Sequence, residues 1–143
     1  MQTKNLYNLP IDTSKTTTIS KIGIAHIGDL VNSIDYDAPE GTPVLAALDG
    51  KVIFVKNDSN IGGVEQKYED DGNYIEILHD NDEISEYEHL LYHSAKVKVG
   101  DTVLTGQTIA EVGNTGWSEC PHLHFMVYPK GQEYKTLEIK WKQ

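Results

Sequence analysis

A chain of 143 residues, 38% hydrophobic and 24% charged, is long enough for one domain that buries a core without disulfides or a structural metal. Its 12 basic residues, all lysine, stand against 22 acidic ones, for a formal net charge of −10 and a pI near 4.9, which disfavours nucleic acid as a partner. The single cysteine, Cys120, excludes an intramolecular disulfide.

Residues 1–20 form a polar N-terminal arm with Thr and Ser runs and no apolar stretch, which reads as neither a signal peptide nor a membrane span. The remainder, 21–143, is one domain. Strands are expected at Pro43 to Leu48, Lys51 to Lys56, Asn73 to His79, Ile84 to Leu90, Thr108 to Val112 and His122 to Tyr128, each rich in β-branched or aromatic residues. Turn residues such as Asp49-Gly50, Asp71-Gly72, Gly100-Asp101 and Asn114-Thr115-Gly116 separate them at the spacing of an all-β sandwich or barrel. The polar stretch Asp58 to Gly72 reads as a mobile loop, and Asp80 to Glu83 as a hairpin tip without the spacing of a calcium loop.

The run Pro121-His122-Leu123-His124-Phe125 carries the strongest chemical signal. On a strand, His122 and His124 point to one face, while Leu123, Phe125 and Val127 supply the core on the other. Imidazole is both the usual zinc ligand and the usual general base near neutral pH, so the pair can divide metal binding from proton transfer. A bare His-x-His also fits two ordinary surface or core histidines. Cys120, two residues earlier, reads as an incidental loop residue, since a catalytic metal needs an open position rather than another thiolate. His89-Leu90-Leu91-Tyr92-His93 has the spacing of a zinc-binding helix, but Leu90 occupies the place of the required Glu and the preceding residues are β-like.

Four segments, in order, resemble the lysostaphin/LytM-type zinc metallopeptidases. They are Asp35 to Val44 with Ala46 to Val52, then Glu86-Tyr87-Glu88-His89-Leu90, then Val97 to Val103, then Gly113 to Phe125. Several motifs in the right order are far more specific than any one alone. The resemblance implies an all-β, single-domain antiparallel β-sandwich or barrel-sandwich hybrid, the duplicated hybrid motif, with an open groove. It implies a Zn2+ cofactor, Asp35 and His124 as metal ligands, and His89 and His122 as catalytic histidines. The commonest family pattern places a further His four residues before the Asp, where this chain has Val31. His26, nine residues before Asp35, is the replacement candidate, since a loop of that length can return a side chain to the same metal at little extra closure cost.

The implied activity is zinc-dependent endopeptidase hydrolysis of peptide bonds in peptidoglycan stem or cross-bridge peptides, or in other small-residue peptides, without nucleic acid or membrane insertion. The implied setting is the cell envelope, a secreted enzyme or a phage-associated one. The rival reading is a weak or inactive module of the same fold that binds cell-wall hydrolases, which the missing His at position 31 favours. Val97 to Val112 also matches lipoyl and biotinyl carriers in pattern, but lacks their modified lysine. Glu86 and Glu88 alternate with Ser85, Tyr87 and His89 and are expected to face solvent. His79 reads as structural and His93 as exposed. Asp37 reads as solvent-facing or supporting, and Trp117 as either a groove wall or a core plug.

Overall fold

The computed structural model describes residues 1–21, 30–133 and 135–143. In chain order the strands are β1 (Gln2–Tyr7), β2 (Thr18–Ser20), β3 (Ile34–Asp37), β4 (Pro43–Leu45), β5 (Gly50–Lys56) and β6 (Gly62–Gly63). There follow β7 (Asn73–His79), β8 (Glu83–Leu90), β9 (Thr102–Val103), β10 (Thr108–Glu111), β11 (Gly116–Trp117), β12 (His122–Pro129) and β13 (Glu138–Trp141). Among the described residues there is no α-helix, and so none long and apolar enough to cross a membrane. All six expected strands form.

Seven strands make the main sheet, in the order β2-β3-β12-β8-β7-β5-β9, with antiparallel neighbours throughout. The sheet stays open, and β4/β10, β6/β11 and β1/β13 form small ribbons beside it, the last two parallel. Alternation explains the layering. On β12 the side chains of Leu123, Phe125 and Val127 are fully buried, and they meet Ile75 and Ile77 of β7 and Tyr87 of β8 in one core. Tyr87 and Phe125 pack with ring centroids 5.2 Å apart. Each such side chain contributes about 1.5–3 kcal/mol when it leaves water. The opposite face of the sheet carries His122, His124, Met126 and Tyr128.

The N-terminal twenty residues are docked onto the domain. Tyr7 and Ile11 lie in the core, and the backbone N–H groups of Lys4 and Asn5 and the Tyr7 hydroxyl all donate to the buried Glu83 carboxylate, at 2.6, 3.2 and 3.1 Å. The stretch Asp58 to Gly72, expected to be a mobile loop, is tied down by Asn73. The Asn73 side chain accepts from the Ser59 N–H at 3.0 Å and donates to the Ser59 carbonyl at 2.8 Å, while β6 pairs with β11. Residues Asp80–Asp82 turn the expected hairpin tip as a short 3-10 element, with Asn81 and Asp82 at positive φ.

Candidate active site

Sheet order brings the site together. In register, His124 on β12 lies opposite Asp35 on β3 and opposite Glu88 on β8, so one imidazole sits between two carboxylates on neighbouring strands. His124 Nδ1 is 3.0 Å from Asp35 Oδ1, and His124 Nε2 is 3.6 Å from Glu88 Oε2. His122, two residues back on the same face, places Nε2 3.6 Å from the same Asp35 oxygen. Both histidines are buried.

His89 reaches this face through a break in the strand. Asn73 pairs with Leu90 and Tyr74 with Glu88, which leaves His89 as an extra residue, and its φ is +66°. A β-bulge of this kind re-aims a side chain, and here it turns His89 onto the face of Glu88 instead of that of Tyr87. A left-handed non-glycine residue costs on the order of 1–2 kcal/mol, offset by the neighbours that fix it. The result is a cluster in which the His89 ring lies 4.5 Å from that of His122 and 6.0 Å from that of His124, centroid to centroid.

Hydrogen bonds set the tautomers. A carbonyl only accepts, so His89 Nδ1, 2.7 Å from the Thr115 oxygen, carries the proton and leaves Nε2 as a lone pair. His122 Nδ1 lies 2.8 Å from the Cys120 carbonyl oxygen and likewise donates, with Ser118 Oγ 3.1 Å away. Burial, reinforced by the adjacent His122, pushes the His89 pKa down to about 4, so its ring is neutral near pH 7. Burial alone would lower His124 too, but the Asp35 hydrogen bond and the charges of Glu88 and Asp35 raise it above an ordinary histidine.

His89 and His124 line a groove of about 780 Å³. Its floor is the outer sheet face, with Tyr74, Glu76, Glu86 and Glu88, and Trp117 forms part of its wall. Glu86 and Glu88, expected to face solvent, do not: Glu86 is buried and Glu88 is half-buried. The second face of β8 floors the groove, where Tyr128 Oη bonds Glu76 and lies 3.3 Å from Glu86. Burial first, then the charge of Glu88, hold the Glu86 carboxyl well above the usual carboxylate range. Ser118 and the Thr115 carbonyl, which orient the two histidines, had no sequence signal apart from their place in the Gly113 to Phe125 block.

The remaining readings resolve individually. His79 is structural: Nδ1 lies 2.7 Å from the Asp49 carbonyl oxygen and Nε2 2.7 Å from Ser85 Oγ, inside the core. His93 is exposed, and His89 and His93 do not share a helix. Cys120 is exposed, beside Asp37 and His122. Val31 is exposed, and His26 lies outside the described residues.

The donor set suits zinc. Two ligands about 2.0–2.2 Å from a tetrahedral zinc ion lie roughly 3.3–3.6 Å apart, and the Asp35 and His124 donor atoms, 3.0 Å apart, come near that spacing.

The chain matches the family described as Peptidase family M23 over residues 30–136. It is 39% identical over 111 residues to the peptidoglycan DD-endopeptidase ShyC of Vibrio cholerae, covering 76% of this chain and 23% of that protein. It is 38% identical over 92 residues to the glycyl-glycine endopeptidase ALE-1 of Staphylococcus capitis, covering 64% of this chain and 23% of that one. The chain thus spans about a quarter of the length of these relatives. Its fold is similar to a zinc containing peptidase from Vibrio cholerae, with TM-score 0.66 and 32% identity over 93% of this chain and 39% of that one. It is also similar to the catalytic domain of lysostaphin from Staphylococcus simulans, with TM-score 0.59 and 30% identity over 73% and 72% of the two chains. From the match over three quarters of its length, with the ordered motifs and the histidine groove, it follows that this chain belongs to peptidase family M23, a family of metallopeptidases.

Proposed function

We propose that the domain is a zinc-dependent metalloendopeptidase that hydrolyses peptide bonds in peptidoglycan stem or cross-bridge peptides, in the cell envelope or outside the cell. His26, Asp35 and His124 hold the metal, and His89 and His122 are the catalytic histidines. The observation that carries this reading is the meeting of His124 Nδ1 and Asp35 Oδ1 at 3.0 Å beside two further imidazoles, His89 and His122, each held through Nδ1 by a backbone carbonyl. The relatives named as peptidoglycan DD-endopeptidase and glycyl-glycine endopeptidase support the substrate class.

Zinc, when bound, supplies a Lewis acid that acidifies water and polarises a carbonyl. The chain supplies the rest. Thr115 and Cys120 hold His89 and His122 through Nδ1, with His89 lining the groove and His122 Nε2 facing Asp35. One Nε2 accepts the proton of the attacking water and, once protonated, passes it on to the leaving amine; the other can donate a hydrogen bond to the developing oxyanion only after taking up a proton of its own at Nε2 from solvent. Fixed rings on strands keep these atoms in place at little entropic cost.

The test is digestion of purified peptidoglycan with zinc-loaded protein, with products identified by mass spectrometry. Wild type is expected to release peptides with new amino termini, and His122→Ala and His89→Ala to lose at least 100-fold in rate. Zinc binding without any cleavage would favour the regulatory-module reading that Val31 leaves open.

A further inference from the structure

His124 lies between two carboxylates, and only one of them has a part in the reading above. Asp35 faces Nδ1 from β3, and Glu88 faces Nε2 from β8, 3.6 Å away. The two ring nitrogens diverge, so an ion held between Nδ1 and Asp35 is not the one that Glu88 meets through Nε2. An imidazole that binds metal through Nδ1 as a neutral ligand carries its proton on Nε2, and that N–H then points at the Glu88 carboxylate.

We infer that Glu88 is the positioning residue of the metal centre: it accepts the Nε2–H of His124, fixes that ring with Nδ1 toward the metal, and raises its strength as a ligand. This rests on His124 being a zinc ligand.

The setting supports the role. Glu88 is directly opposite His124 in the β8/β12 ladder, so the pairing is built into the register and not into a loop. Its side chain is about two-thirds covered, which strengthens a charge-assisted contact. Glu86, buried and bonded by Tyr128, shares a side-chain hydrogen bond with Glu88 and so helps to hold its carboxylate. The bulge at His89 adds to the placement: by taking up one extra residue it lets Glu88 keep its pairing with His124 while His89 joins the same face. A 3.6 Å separation tightens to a hydrogen bond with a small side-chain rotation once Nε2 must carry the proton, or is bridged by one water.

The experiment measures zinc affinity of the full chain by competition with a chromogenic chelator, for wild type, Glu88→Leu and Glu88→Gln. Alongside it, long-range 1H–15N spectra of the zinc-loaded wild type read the His124 tautomer. Carboxylates behind a metal-bound histidine contribute roughly 10–100-fold to affinity. Glu88→Leu is expected to bind zinc 10–100-fold more weakly, Glu88→Gln to lose less because its amide oxygen still accepts, and His124 to be protonated at Nε2. Leu and Gln variants within twofold of wild type overturn the inference, and so does a His124 protonated at Nδ1. If Glu88→Leu does not fold, Glu88→Gln and the wild-type tautomer decide. Zinc bound with unchanged affinity in the variants removes only the role of Glu88, whereas no zinc bound by wild type removes the metal-centre reading with it.

Discussion

His89 Nδ1 donates to the Thr115 carbonyl oxygen across 2.7 Å, a bond that joins a bulge in β8 to the turn before β11. Thr115 is itself fixed, since its hydroxyl donates to the Leu90 carbonyl at 2.8 Å and accepts from the Asn73 N–H at 3.1 Å. The aim of His89 therefore depends on a turn 26 residues away in sequence.

That turn has no room for a side chain at Gly116. Its φ is +83°, and a Cβ there would sit 2.7 Å from Gly72 Cα. Gly116→Ala is expected to lower unfolding free energy by about 2–4 kcal/mol, through both the positive φ and the backbone clash. Urea denaturation checks this. A loss under 0.5 kcal/mol would mean that the two segments separate without cost.

The depressed pKa of His89 makes a pH prediction for the metal-free protein. In the unfolded chain a histidine protonates near 6.5, but folded His89 does so only near 4, so protons favour the unfolded state between these values. His89 thus contributes stability that is present above about pH 6.5 and lost as pH falls toward 4. His124, raised in the folded state, acts with the opposite sign, contributing stability at low pH that is lost as pH rises through its folded value. His89→Gln should therefore destabilise less at pH 4.5 than at pH 7.5, relative to wild type. Chemical denaturation at the two pH values reads the difference, and equal effects at both would count against a buried neutral ring.

Glu83 ties the first strand to the domain across 79 residues of sequence. Glu83→Ala leaves the Lys4 and Asn5 N–H groups and the Tyr7 hydroxyl without their acceptor, at a cost of about 2–4 kcal/mol. Limited proteolysis should then cut within the first ten residues well before the domain unfolds. Unchanged resistance would mean that β1 is held by its pairing with β13 and by Tyr7 alone.

What could be read from the sequence follows from what is local. The alternation of His122, Leu123, His124 and Phe125 is a property of one strand, and it assigned both faces of β12 before any partner was known. The six expected strands likewise rest on short-range pattern and turn residues. His89 escaped that logic because a bulge has no fixed sequence signature, and a regular strand would send it to the face of Tyr87. Glu86 and Glu88 escaped because a charged residue on an alternating strand normally meets open water, whereas here that face floors a groove in which Tyr128 packs against Glu86. β1 was missed because its acceptor, Glu83, is remote in sequence, and the polar Thr and Asn residues of the arm mask the buried anchor Tyr7, as they do Ile11 just after the strand.

The most direct measurement is the zinc content of untagged protein by inductively coupled plasma mass spectrometry, for wild type, His26→Ala and His124→Ala. The account predicts close to one zinc per chain in wild type and its loss from both variants, with the fold retained by circular dichroism. Wild-type protein that takes up no zinc after reconstitution would contradict it. Zinc kept by His26→Ala alone would remove His26 from the ligand set and leave Asp35 and His124 to be completed by another residue.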